Sequence, residues 1–175
     1  MSNEALSARE TFARLYDEYL DKVFRYIQYR VNSTHLAEDL TSSVFEKALV
    51  NFGKYSSDRA SFSTWLFSIA RNVVIDHYRV NRKRQTVSLE EVTAQSSSDL
   101  SPEEEVERED ERERLNRCLA ELSKKEQEII RLKFGAELNN RQIGKMLGLS
   151  ESNIGTKLYR AIRKMRDSCR ESESG

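Results

Sequence analysis

The apolar residues of this chain recur at three- and four-residue steps, and nowhere do they alternate as a half-buried strand would require. Phe12, Leu15, Tyr16, Tyr19, Leu20, Val23, Ile27 and Val31 form one helical stripe. Leu36, Ala37, Leu40, Val44, Phe45, Ala48, Leu49 and Phe52 form a second, which Gly53 stops. Lys54–Ala60 has no period and reads as a loop. Ser61 can cap a third helix, with Phe62, Trp65, Leu66, Ile69, Ala70, Val73 and Val74 inside it. One Pro and six Gly in 175 residues argue against a turn-rich β sandwich or barrel. No apolar run approaches the ~18 residues of a spanning helix. The pattern predicts an all-α chain.

The second half carries start signals rather than long stripes. Ser101-Pro102-Glu103-Glu104 offers an N-cap, a first-turn Pro and a capping-box acid. The acidic run Glu103–Glu113 then favours the positive end of a helix dipole. Leu115, Cys118, Leu119 and Leu122 are the first apolar positions. Ser123-Lys-Lys-Glu126 is a second capping box, ahead of Ile129, Ile130 and Phe134. Asn139-Asn-Arg-Gln142 is a third, with Leu138 and Ile143 spaced as a hydrophobic staple. Ser150 caps a last helix, and Leu149 and Ile154 repeat the staple. Residues 85–101 between the halves are polar and read as a flexible linker. The fold expected is two helical domains, 10–84 and 102–170, joined by a flexible acidic linker.

Basic and acidic residues number 29 each, so the net charge is zero. That total conceals its distribution. Residues 1–84 carry +3, residues 85–113 carry −9 and residues 114–175 carry +6. Electrostatic effects act within roughly 8–10 Å at working salt, so the local values decide. Two basic lobes flank an acidic connector.

In the second lobe a short helix (140–147), a turn at Gly148-Leu149-Ser150 and a longer helix (151–168) have helix-turn-helix spacing. Ile154, Leu158, Ala161 or Ile162, and Met165 would face inward. Ser152, Asn153, Thr156, Lys157, Tyr159, Arg160 and Arg163 would face outward, where a major groove could receive them. Arg160, Arg163, Lys164, Arg166 and Arg170, further along, suit phosphates. The plainer alternative is an αα-hairpin with a solvated basic face. In the first lobe Phe62, Trp65, Phe67 and Tyr78 interleave with Arg71, Arg79, Arg82, Lys83 and Arg84, beside a loop with Tyr55 and Arg59. Rings beside cations suit single-stranded nucleic acid. Phe62 and Trp65 also lie on the core stripe, so Asn72 and Arg79, off that stripe, are the sharper candidates.

Catalysis finds no support: no nucleophile–base set and no Gly-rich phosphate loop is present. No metal or cofactor is expected, with His35 and His77 read as surface residues. Cys118 and Cys169 are read as too few and too far apart for a disulfide framework or a zinc knuckle. Cys118 is expected in the core, and Cys169 near a frayed end. The opening ten residues lack a signal-peptide core, so the chain is expected in the cytoplasm.

The order of these features resembles the extracytoplasmic-function sigma factors of bacteria. The resemblance rests on Ala37-Glu-Asp-Leu40 with Val44-Phe45, on Ser61-Phe-Ser-Thr-Trp-Leu-Phe-Ser-Ile-Ala-Arg-Asn72, on the basic helix end and on the helix-turn-helix. It implies a promoter-recognition factor with two domains. Glu38, Asp39, Leu40, Val44 and Phe45 would dock on the β′ clamp helices of core RNA polymerase, with a further contact to the β flap. Tyr55, Arg59, Ser61, Phe62, Trp65 and Asn72 would hold the unpaired minus-ten strand, and Arg79, Arg82, Lys83 and Arg84 its backbone. Arg141, Ser152, Asn153, Thr156, Lys157, Tyr159, Arg160 and Arg163 would serve the minus-thirty-five element. An anti-sigma factor would be a further partner, and the acidic linker would lie near the polymerase active-site channel. Ser42 and Ser43 stand where the family usually has Gln and an acid, and Gly155 where a basic residue is common. A stand-alone duplex-DNA regulator and a decoy for an anti-sigma partner are the competing readings.

Overall fold

A computed structural model describes residues 3–31, 33–85, 115 and 117–171, with side chains at 7–31, 33–81, 115 and 117–169. Every regular element among them is helical: α1 (Asn3–Gln28), α2 (Thr34–Asn51), α3 (Phe62–Gln85), α4 (Lys124–Ile130), α5 (Asn140–Leu147) and α6 (Glu151–Glu171). A 3-10 turn, Phe52–Lys54, follows α2, a wider π-helical turn, Arg131–Gly135, follows α4, and residues 117–120 are also helical. Most of the linker, the Ser101–Glu104 start and the acidic run lie outside the described residues. The chain divides into two compact units at Ser96/Ser97, with Gly135–Glu137 grouped with the first.

The first unit packs α1 and α3 against α2. Val23, Tyr26 and Ile27 of α1, Ala37, Val44 and Ala48 of α2, and Leu66, Phe67, Ala70 and Val74 of α3 are buried. Tyr26 meets Phe67 edge to face at 5.5 Å, the geometry that the ring quadrupoles favour. Ser33 caps α2 by accepting the Leu36 N–H at 3.2 Å. The Tyr78 hydroxyl donates to the Arg30 carbonyl and ties α3 to the end of α1.

In the second unit the expected caps form. Ser123 Oγ accepts from the Glu126 N–H, and the Glu126 carboxylate accepts from the Ser123 N–H at 3.0 Å and hydroxyl at 2.7 Å. Asn139 and Gln142 make the same reciprocal pair, both bonds at 2.9 Å. Each box satisfies two backbone or cap donors that a helix start otherwise leaves open. Leu119, Leu122, Ile129, Ile130, Leu132, Leu138, Ile143, Ile154, Leu158 and Ala161 fill the core.

Two expectations fail here. Cys118 and Cys169 are joined in a disulfide across 51 residues, with Cα atoms 5.7 Å apart. Their separation along the chain misleads, because α4–α6 fold back and return the end of α6 to residues 117–120. Cys118 is buried, as expected of a core position, and Cys169 is half-buried rather than free. Phe134, expected inside an apolar helix, is 54 % exposed, because the wider turn at Arg131–Gly135 carries it out of register.

Candidate nucleic-acid interface

The helix-turn-helix is built on two glycines. Gly148 ends α5 with φ 66° and ψ 37°, a left-handed conformation that costs a side-chain-bearing residue more than glycine. Its N–H and that of Leu149 (2.9 Å) both reach the Gly144 carbonyl. At Gly144 a Cβ would lie 2.5 Å from the Leu149 carbonyl oxygen, closer than atoms approach. Gly144 therefore sets how tightly the turn closes. The sequence reading missed it, although a glycine inside a helical pattern beside a turn is a signal of close backbone approach.

Ser150 starts α6 by accepting the Asn153 N–H at 3.2 Å. Ile154, Leu158 and Ala161 bury one face. Ser152, Asn153, Thr156, Arg160 and Arg163 are exposed on the other, together with Arg141 of α5, and Lys157 is half-buried. Tyr159 is 69 % exposed, a ring that folding leaves in water. The Thr156 hydroxyl donates to the Ser152 carbonyl at 3.1 Å, which restrains its rotamer. Ile162, offered as an inward alternative to Ala161, lies outside the core. At Gly155 a Cβ would meet only the Asn140 amide nitrogen, at 3.6 Å, an ordinary contact. Packing does not demand glycine there, so this departure trims the outward surface rather than the core.

The first unit places its candidates differently. The stretch 55–61 is pinned at several points. The Tyr55 hydroxyl donates to the Ala60 carbonyl at 3.2 Å, and Arg59 N–H bonds the Ser56 carbonyl at 3.1 Å. Ser61 caps α3 through the Thr64 N–H at 3.3 Å and shares hydrogen bonds with the Ser63 and Thr64 hydroxyls. Beneath it lies an aromatic cluster. Phe62 touches Tyr19 (5.3 Å), Tyr55 (5.5 Å) and Trp65 (5.5 Å), and Tyr55 also meets Trp65 at 5.1 Å. Burial pushes the Tyr55 hydroxyl pKa up, and burial with the neighbouring Glu18 does the same for Tyr19, so both stay neutral donors.

Phe62 itself is buried and supports the loop from below, so its ring is not on the surface. Trp65 is half-buried, whereas Arg59, Asn72 and Arg79 are exposed. Trp65, Asn72 and Arg79 stand seven residues apart, so they share one face of α3 over about 21 Å of helix. Asp76 holds Arg79 at 3.1 Å, an exposed pair worth little in water and easily exchanged for a phosphate. The side chains of Arg82, Lys83 and Arg84 lie outside the described residues.

The docking candidates divide as well. Glu38 and Asp39 are exposed, Asp39 pairing with His35 at 3.2 Å. Leu40, Val44 and Phe45 are buried in the unit's own core and present little surface. The outward face of α2 is instead His35, Glu38, Asp39, Ser42, Glu46, Lys47, Leu49 and Val50, with Val50 81 % exposed. Among the described residues no cluster of His, Cys, Asp or Glu is arranged to hold a metal ion. None of the described helices is long and apolar enough to cross a membrane.

Comparison with known proteins fits both units. Residues 15–84 match the family model for sigma-70 region 2, and residues 112–165 match that for sigma-70 region 4. The chain is 37 % identical over 154 residues to the ECF RNA polymerase sigma factor BldN of Streptomyces coelicolor, covering 88 % of this chain and 58 % of that one. It is 31 % identical over 170 residues to the RNA polymerase sigma factor YlaC of Bacillus subtilis, covering 94 % and 97 %. The sigma factor RpoE of Bartonella quintana, solved with the anti-sigma factor NepR, superposes with a TM-score of 0.65 at 19 % identity, over 92 % of this chain and 98 % of that one. This is a two-domain, DNA-binding transcription initiation protein. The chain belongs to the extracytoplasmic-function RNA polymerase sigma factors.

Proposed function

We propose that the chain binds core RNA polymerase and directs it to promoters through two separate readings of DNA. The second unit lays α6 in the major groove of the minus-thirty-five element. Ser152, Asn153, Thr156 and Tyr159 approach base edges, and Arg141, Lys157, Arg160 and Arg163 meet phosphates or guanines. The first unit holds the melted minus-ten strand along the Trp65–Asn72–Arg79 face of α3 and in the loop 55–61. Extracting a base from the stack costs a few kcal/mol, which a preformed pocket offsets. The hydrogen-bonded loop over its aromatic cluster would serve that role, with Phe62 as floor rather than contact. Glu38 and Asp39 dock on the β′ clamp, joined by the exposed Ser42, Glu46, Leu49 and Val50. The second unit would meet the β flap. The acidic connector keeps the chain from gripping DNA alone. An anti-sigma factor is the class of regulator expected, since the Bartonella RpoE was solved with one. Such a protein works in the cytoplasm and is not an enzyme.

The observation that carries this reading is the division of α6. Ile154, Leu158 and Ala161 are buried, while Ser152, Asn153, Thr156, Tyr159, Arg160 and Arg163 are exposed. The test is run-off transcription. With core polymerase the chain should yield transcripts from selected templates, while alone it binds duplex DNA poorly. Tight, specific duplex binding without polymerase, and no template-selective transcript with it, would favour a stand-alone regulator.

A further inference from the structure

The feature that promoter recognition leaves unused is the bridge between Cys118 and Cys169. Its two ends differ in access. Cys118 is fully buried beside Leu119 and Leu122, whereas Cys169 is half-buried on the last turns of α6. The bridge also sits beyond the buried apolar stretch of α6. α6 runs 21 residues, from Glu151 to Glu171. Its buried apolar anchors stop at Ala161, with Ile162 exposed and Met165 only half-buried. Cys169 lies eight residues further on, about 12 Å along the helix. Between them Lys164 pairs with Glu126 at 3.1 Å. The covalent bond therefore anchors the end of the helix that carries Arg160 and Arg163. Cys169 falls beyond residue 165, where the region 4 match ends, so the bridge is no part of the matched pattern.

We propose that Cys118 and Cys169 are a reversible thiol–disulfide modification site that clasps the C-terminal end of α6. A transcription factor works among low-molecular-weight thiols that keep cysteines reduced, so a bridge there is made and broken rather than permanent. The difference in access orders the chemistry, with a low-molecular-weight disulfide as oxidant. The Cys169 thiolate attacks one sulfur of that disulfide, forming a mixed disulfide and expelling one small thiolate. Cys118, screened from bulk solvent but adjacent to Cys169, loses its proton and attacks Cys169 Sγ. The second small thiolate leaves, and the Cys118–Cys169 bond forms. The two protein thiols lose two electrons and two protons, and the small disulfide becomes two thiols. Reduction reverses the sequence, beginning at the accessible Cys169. Oxidation holds the last turns of α6 against residues 117–120, and reduction frees them to open locally.

The test uses the full chain equilibrated in mixtures of reduced and oxidised glutathione, without polymerase. Intact mass after maleimide labelling should show a monomer that is two hydrogens lighter and takes up no label once oxidised. Hydrogen exchange at residues 162–169 should slow by about tenfold or more on oxidation, with α1–α3 unchanged. Cys169→Ser should exchange as the reduced chain does in every mixture, and Cys118→Ala should trap glutathione on Cys169. The proposal is overturned if wild type retains glutathione on Cys169, if two chains become linked, or if oxidised and reduced chains exchange alike. The consequence for DNA rests on the reading of α6 as the recognition helix. Absence of transcription in both redox states would sink that reading and leave the thiol result standing.

Discussion

The two units use their outward residues in opposite ways. In the second, the candidate DNA contacts have no structural duty: Ser152, Asn153, Thr156, Tyr159, Arg160 and Arg163 are all exposed, and packing falls to Ile154, Leu158 and Ala161. In the first, packing and candidate recognition share residues. Phe62 is buried, and Trp65 and Tyr55 are half-buried in the cluster that supports the loop. A surface free of structural duty can change its sequence preference residue by residue. A surface that doubles as core cannot, because each change also alters stability. This contrast predicts that the first unit has the more constrained DNA preference.

The contrast can be broken by mutation. Phe62→Ala should cost about 3–5 kcal/mol, as for a buried aromatic, and lower the first unit's melting while leaving the second intact. If Phe62→Ala instead left stability unchanged and removed only promoter opening, the ring would be a base contact and the contrast would collapse. Gly144→Ala should cost about 1–3 kcal/mol from overpacking against a backbone carbonyl, in the second unit alone. Thermal unfolding followed by fluorescence of the single Trp65, set against total helicity, separates the two units.

A smaller effect sharpens the comparison through pH. The Ser123 hydroxyl and backbone N–H, with a lesser contribution from Lys164, hold the Glu126 pKa down from 4.5 to about 2. A depressed folded pKa favours folding above the unfolded value. That contribution is complete above about pH 4.5 and is lost as pH falls toward 2. The second unit should therefore weaken across this window, and Glu126→Gln should flatten the dependence at a cost of about 1 kcal/mol near neutral pH. Acid titration of wild type and variant by circular dichroism checks this. An unchanged acid profile in Glu126→Gln would assign the loss to other carboxylates.

Much of the fold was legible because helical period and caps are local. Ser61, Ser123, Asn139 and Ser150 each cap the helix that the sequence placed behind them. The outward face of α6 was legible for the same reason, since a helix with known inward residues fixes its outward ones. What failed depended on three-dimensional return. The cysteine pairing needs the end of α6 beside residues 117–120, which no local pattern states. Leu40, Val44 and Phe45 lie in the stretch whose resemblance suggests docking, yet a three-helix core needs their side chains inside. Phe134 left its stripe because it lies within a wider turn, and periodicity alone does not register a π turn.

The central claim is that the two units read two separate DNA elements. Core polymerase with the chain would be presented with promoters randomised at both elements, and the transcribed templates sequenced. Arg160→Ala should relax preference in the minus-thirty-five element by about 1–3 kcal/mol per affected position and leave the minus-ten preference and polymerase binding intact. Asn72→Ala should do the reverse. If both variants relax the same element, or if Arg160→Ala abolishes polymerase binding, the division of labour between the two units is wrong.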